Sequence, residues 1–119
     1  MRALALVAAL LLPAWAPAEA SVWHHEYATW YGPGFYGNRT ACGQRLTRRL
    51  PGVAHRTLPC GTRVRIRFHG RVVTVPVVDR GPYGVPGLNI DMTAYTSCWQ
   101  LADRPKNCSS KVIDWRIVR

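Results

Sequence analysis

Apolar and polar positions alternate strictly from Thr62 to Phe68, with Val64, Ile66 and Phe68 on one face and Arg63, Arg65 and Arg67 on the other. A period of two marks a strand with one buried and one solvated face. His69-Gly70 supplies a tight turn, and Arg71 to Val78 continues with Val72, Val73, Val75, Val77 and Val78, which predicts a hairpin. Pro76 carries no backbone N–H, so it limits where the second strand can pair. Lys111 to Val118 alternates again, placing Ile113, Trp115 and Ile117 opposite Asp114 and Arg116, and reads as a closing strand. Glu26 to Tyr31 is rich in β-formers and runs into Gly32-Pro33-Gly34, a loop signal. Only Thr93 to Leu101 has helical spacing, through Ala94, Cys98 and Leu101, with Thr93 as its N-cap. Closely spaced strands and one short helix predict an all-β barrel, because closure removes edges that would otherwise pair with other chains.

Composition changes this picture in three ways. The first twenty residues combine Arg2, an apolar run from Ala3 to Leu12 and the small-x-small Ala18-Glu19-Ala20, the pattern of a secretory signal peptide over 1–20. Its apolar core falls well short of the roughly 20 residues a membrane span needs, so no stable membrane insertion is expected. The remaining stretch, 21–119, is the size of one small domain. Four cysteines in an exported chain then predict two disulfides. Cys42 with Cys60 and Cys98 with Cys108 each bracket one local loop, and each closure contributes roughly 3 kcal/mol by the loop-entropy model. No Cys-x-x-Cys spacing or paired histidine ligands accompany them, which argues against zinc; no metal or organic cofactor is expected.

The third change is charge. Loss of the signal would remove one base and one acid, leaving the formal charge at +10. Such an excess either favours polyanions or serves solubility alone. Outside the cytoplasm the polyanions are wall polymers, acidic peptide stems or anionic lipid headgroups, and no nucleic acid is expected as a partner.

The chemistry starts at Val77-Val78-Asp79-Arg80-Gly81-Pro82-Tyr83, where an apolar run ends in a carboxylate and the chain turns. An aspartate there either orders the turn by accepting backbone N–H groups or is held by the scaffold for catalysis. Taken alone, the segment leaves both open. It is joined by Ala28-Thr29-Trp30-Tyr31-Gly32-Pro33-Gly34-Phe35, Thr40-Ala41-Cys42-Gly43-Gln44 and Ala54-His55-Arg56-Thr57-Leu58-Pro59-Cys60-Gly61-Thr62. These four ordered blocks closely resemble the rare lipoprotein A (RlpA) family.

That resemblance implies a six-stranded double-psi β-barrel, shared with expansins, barwin-like proteins and one group of cellulases. It also implies lytic transglycosylase activity on peptidoglycan glycan strands, favouring strands stripped of peptide stems. The family's Asp-Arg-Gly-Pro aspartate falls on Asp79 and its His-x-Thr-Leu-Pro histidine on His55. Its glutamate falls on Gln44, which can hydrogen bond a sugar hydroxyl but cannot deliver a proton as a carboxylic acid does. The implied catalytic set is Asp79 as general acid, with His55 and Gln44 positioning substrate.

Asp91, in Asn89-Ile90-Asp91-Met92-Thr93, matches the aspartate before the family's helix. It either stabilises that helix N-terminus or serves as a second groove carboxylate. Trp30, Tyr31 and Tyr83 come from loop-flanking segments and are candidates to stack on sugar rings, with Arg80 and Asp91 beside them; Trp30 and Tyr31 could equally fill the barrel end. Trp23, Trp99 and Trp115 are expected to pack.

A transglycosylase needs fewer groups than a hydrolase, because the substrate's own C6 hydroxyl attacks the anomeric carbon and closes a 1,6-anhydro ring. Hydrolysis normally takes two carboxyl groups. The sequence therefore predicts a secreted, periplasmic or wall-associated monomer acting on peptidoglycan glycan or another anionic wall polymer. The alternative is an expansin-like module that grips glycan without cutting it.

Overall fold

The computed structural model describes residues 22–102 and 108–119. The expected signal peptide over 1–20 lies outside them. Six strands form among the described residues: β1 (His24–Tyr31), β2 (Val53–Ala54), β3 (Arg63–Phe68), β4 (Arg71–Asp79), β5 (Asp91–Thr93) and β6 (Lys111–Val118). They close into a barrel in the order β1-β5-β2-β4-β3-β6, with β6 paired back onto β1. The β1/β5 and β2/β4 pairs are parallel and the other four antiparallel.

The alternation read from the sequence decides what the barrel encloses. Val64, Ile66, Val75, Val77, Met92 and Ile113 are all buried in one cluster. Each such side chain removed from water is worth roughly 1.5–3 kcal/mol. The β3–β4 turn uses His69 at φ 47° and Gly70 at φ 80°. Two successive positive φ values match the right-handed twist of a two-residue hairpin. Pro76 lies opposite Arg63 at the last position of the β3 ladder, and from Val77 onward β4 pairs with β2 instead. The residue without an N–H thus sits where β4 changes partners.

One irregularity positions the site. Val53 pairs with Val77, but the next residue, Ala54, pairs with Asp79. The extra residue on β4 is a bulge, and it breaks the alternation: Val77 and Val78 are both fully buried although they are neighbours. Strict alternation would send Asp79 inward with Val75 and Val77. The bulge turns it outward beside Ala54. Gly52 makes room for this, since a Cβ there would lie 2.7 and 2.8 Å from the two Val78 methyl carbons.

The helix is shorter than the sequence suggested. It is a six-residue π-wound segment, Tyr95–Gln100, rather than Thr93 to Leu101. Thr93 is the last residue of β5, where its backbone N–H donates to the Gly52 carbonyl at 3.0 Å, and helical winding starts after it. Its hydroxyl still accepts the Thr96 N–H at 3.3 Å, a cap by contact if not by position. Both expected disulfides are present, Cys42–Cys60 and Cys98–Cys108.

Candidate active site

Asp79 and Asp91 line one cleft of about 340 Å³ at the ends of β1, β4 and β2 and the start of β5. Three donors converge on Asp79. Ala41 N–H and Arg80 N–H donate to Oδ1 at 2.8 and 2.9 Å, and the Tyr31 hydroxyl donates to Oδ2 at 3.0 Å. The Ala41 donor is brought there by its neighbour, because Cys42 is tied to Cys60 and its N–H bonds the Val78 carbonyl at 3.3 Å. Burial, reinforced by the Asp79 charge, holds the Tyr31 phenol above its ordinary pKa, so it stays a donor.

Asp91 has a different environment. Its Oδ1 accepts one hydrogen bond, from the Thr29 hydroxyl at 2.9 Å, across the β1/β5 register that pairs these residues. Burial pushes its pKa up to about 6, the Thr29 bond opposing and the Asp79 charge adding to the shift. Two carboxyl groups thus face one cleft, one held by three donors and the other by one. The remaining wall includes Phe35, Asn38, Arg39 and Thr40.

The other sequence candidates divide. Arg80 borders the cleft, but its guanidinium is turned onto backbone carbonyls, His55 at 3.2 Å and Leu58 at 2.7 Å, and makes no ion pair with Asp79. It braces the 55–60 loop. The His55 ring folds onto that same loop, where Nδ1 accepts the N–H groups of Thr57 and Leu58, both at 3.1 Å, and its edge meets Trp115. Burial, followed by the nearby Arg56 charge, lowers its pKa, which favours the neutral ring with the proton on Nε2. Its tie to the cleft is through the backbone, His55 N–H to Asp79 carbonyl at 3.2 Å.

Gln44 is exposed, and its Oε1 accepts the Thr40 hydroxyl at 3.1 Å. It reaches the cleft through Thr40. Tyr83 is 67% exposed and stands outside the described cleft lining. Trp30 points to the opposite side of β1 from Tyr31 and lines a larger cleft of about 620 Å³ with Tyr36, Arg48, Arg49 and Trp99. No carboxylate occurs in the described lining of that larger cleft, so the smaller one holds the acids. Trp115 packs as expected at 4% exposure, whereas Trp99 is half exposed.

Thr29, Thr40 and the Ala41 N–H were not singled out from the sequence. Thr29 shares the outward parity of Tyr31 on β1, and that parity was the available signal. Ala41 contributes a backbone group, which residue type cannot reveal.

A six-stranded barrel with these two parallel pairs, carrying two carboxyl groups at its strand ends, defines a double-psi β-barrel with an acidic cleft. Residues 24–112 match the double-psi β-barrel family described as "Lytic transglycolase". The chain belongs to that family. It is 49% identical over 69 residues to "Probable endolytic peptidoglycan transglycosylase RlpA" of Synechocystis sp., covering 56% of this chain and 21% of that protein. It is 43% identical over 58 residues to "Endolytic peptidoglycan transglycosylase RlpA" of Campylobacter jejuni, covering 47% and 21%. The chain therefore spans about a fifth of the length of these curated relatives. Among solved structures, the Streptomyces papain inhibitor superposes with a TM-score of 0.62 at 23% identity, covering 84% of this chain and 97% of that one. Clavibacter michiganensis expansin gives 0.59 at 24% identity, covering 82% and 51%. These two share the fold.

Proposed function

We propose that this chain is an exported peptidoglycan-active domain that cuts glycan strands as an endolytic lytic transglycosylase and leaves 1,6-anhydro ends. The observation that carries the reading is the pair of carboxyl groups in one cleft with unlike surroundings. The activities for which the relatives are named point the same way.

The roles follow from the hydrogen bonds. All three partners of Asp79 donate to it, so in this arrangement it acts as an acceptor. Asp91, with its pKa raised to about 6, is the better proton carrier, which moves the general-acid role from Asp79 to Asp91. In the reaction Asp91 gives its proton to the bridging oxygen as the bond from that oxygen to the anomeric carbon breaks. The C6 hydroxyl oxygen bonds to the same carbon, and its proton passes to a cleft carboxylate, with Asp79 placed to receive it. Tyr31, Ala41 N–H and Arg80 N–H hold Asp79 in place. Gln44 and Thr40 are available to sugar hydroxyls, and Arg80 and His55 fix the 55–60 loop, which the Cys42–Cys60 disulfide ties to the segment carrying Thr40 and Ala41.

Digestion of stem-stripped peptidoglycan by the mature chain, followed by mass spectrometry, tests this. The expected products carry 1,6-anhydro ends, and Asp91→Asn and Asp79→Asn each reduce them by at least about a hundredfold, the usual worth of a positioned acid or base. The rate should fall as pH rises through about 6, where Asp91 loses its proton. A second reading, a glycan-gripping module without turnover, is favoured by Gln44 standing where the family carries a glutamate. Complete absence of anhydro ends, with the protein still pulled down by the glycan, would establish that reading instead.

A further inference from the structure

The outer surface of β3 and β6 carries a charge arrangement that the barrel does not need. Val64 and Ile66 are fully buried, so Arg63, Arg65 and Arg67 face outward, and Arg116 does the same beside buried Trp115. The β3/β6 register sets Arg65 directly opposite Arg116. Like charges at opposed positions of neighbouring strands destabilise a sheet.

Neutralisation is incomplete. Asp114 is the one carboxylate on this face among the described residues, and it is engaged by Arg67 at 3.2 Å and by His25 at 2.5 Å. Glu26 is committed elsewhere, accepting from Trp115 Nε1 at 3.0 Å and Asn89 Nδ2 at 3.1 Å. Arg65 has a hydrogen bond to the Thr74 hydroxyl at 3.4 Å, and Arg63 makes no hydrogen bond or ion pair among the described residues. Arg116 buries its Nε without a partner. Opposed like charges left with too few counter-charges are what a binding surface looks like.

The geometry also orders the charges. Trp23 lies under both Arg67 and Arg116, with guanidinium carbons 4.0 and 5.0 Å from its ring centre. Stacking holds these two side chains in place before any ligand arrives. Same-face residues along a strand recur about every 6.8 Å and neighbouring strands lie about 4.8 Å apart, so the four arginines form a regular row with one flanking member. Of the 16 basic residues in the chain 14 are arginine, whose planar fork takes phosphate oxygens in pairs.

We propose that the outer face of β3 and β6 binds a linear phosphodiester polymer through Arg63, Arg65, Arg67 and Arg116, independently of the acidic cleft. A membrane surface fits less well, because an interfacial anchor inserts apolar side chains. Here the Trp23 ring is covered by arginines, and the exposed large apolar residues, Val112 on β6, Val72 on β4 and Tyr27 on β1, lie around the arginines without forming an uninterrupted apolar patch.

The test is titration of the folded mature chain with a glycerol-phosphate oligomer of defined length, with polygalacturonate and with phosphatidylglycerol vesicles. The oligomer should bind tightest. R65Q/R116Q should weaken it at least about tenfold, the scale of losing two charge-assisted contacts. The slope of log affinity against log salt should shrink by about 1.4, from about 0.7 per phosphate contact on a single strand. Arg63→Gln, which removes a side chain without partners in the fold, should cost a few-fold. The melting temperature of R65Q/R116Q should match or exceed that of the parent, because the opposed charges are gone. Unchanged oligomer affinity in both variants would overturn the proposal. Equal binding of polygalacturonate would overturn the phosphate assignment, and binding to vesicles alone would overturn the polymer.

Discussion

Two aspartates of the same chemistry end up in different surroundings, and the proposed mechanism assigns them different jobs on that ground. Asp79 meets two backbone N–H groups and a phenol, whereas Asp91 meets one threonine hydroxyl and a low-dielectric wall. The Asp91 shift is also a statement about stability. Its pKa is near 3.8 when unfolded and about 6 when folded, so the folded state holds the extra proton between these values. Stability from this group is therefore present below about pH 4 and is lost as pH rises through about 6. Asp91→Asn removes the buried charge, so thermal melts should show the variant gaining on the parent at pH 8 and gaining less or nothing at pH 4. An equal difference at both pH values would contradict the shift. Asp79 was legible in the sequence as a strand-end carboxylate before a Gly-Pro turn. The Asp91 environment was not, since its partner Thr29 lies 62 positions away.

At the scale of elements, the β4 bulge is what makes Asp79 available, and it depends on a strand the sequence does not announce. Two residues, Val53–Ala54, are too few to display a period, yet they bridge β4 and β5 and bring Ala54 beside both Asp79 and Asp91. Gly52 sets their approach. A Cβ there would clash with both Val78 methyl carbons and lie 3.0 Å from the Pro76 carbonyl, at a φ of 153°. Gly52→Ala should destabilise the domain by roughly 1–3 kcal/mol, the cost of forced overpacking. Denaturant melts give that number, and a loss under 0.5 kcal/mol, the range of neutral surface changes, would show that β4 tolerates the shift. The hairpin and β6, by contrast, were legible nearly residue for residue, because each is long enough to alternate. Thr93 was read from its cap chemistry, and its hydroxyl does accept the Thr96 N–H, but only the Gly52 carbonyl that takes its own N–H reveals it as a strand residue too.

For the whole molecule, closure is the controlling fact. β6 lies between β1 and β3, so the last strand of the chain completes a barrel begun by the first. A chain ending at Ser110 should lose the Ile113 and Trp115 contributions to the core and expose the facing edges of β1 and β3. It should show no cooperative unfolding transition by circular dichroism, and a retained transition would mean that the remaining strands suffice. The sequence by itself determined the all-β class, the hairpin, the closing strand, the two disulfides and the family, because alternation, turn chemistry and short cysteine loops are local properties. Tertiary structure alone decided that Asp79 faces outward, that the His55 ring and the Arg80 guanidinium brace a loop, that Trp30 and Tyr31 line different clefts, and that burial raises the Asp91 pKa. Those outcomes depend on which strands lie side by side and how water is excluded between them, and distant segments set both only once the barrel has closed.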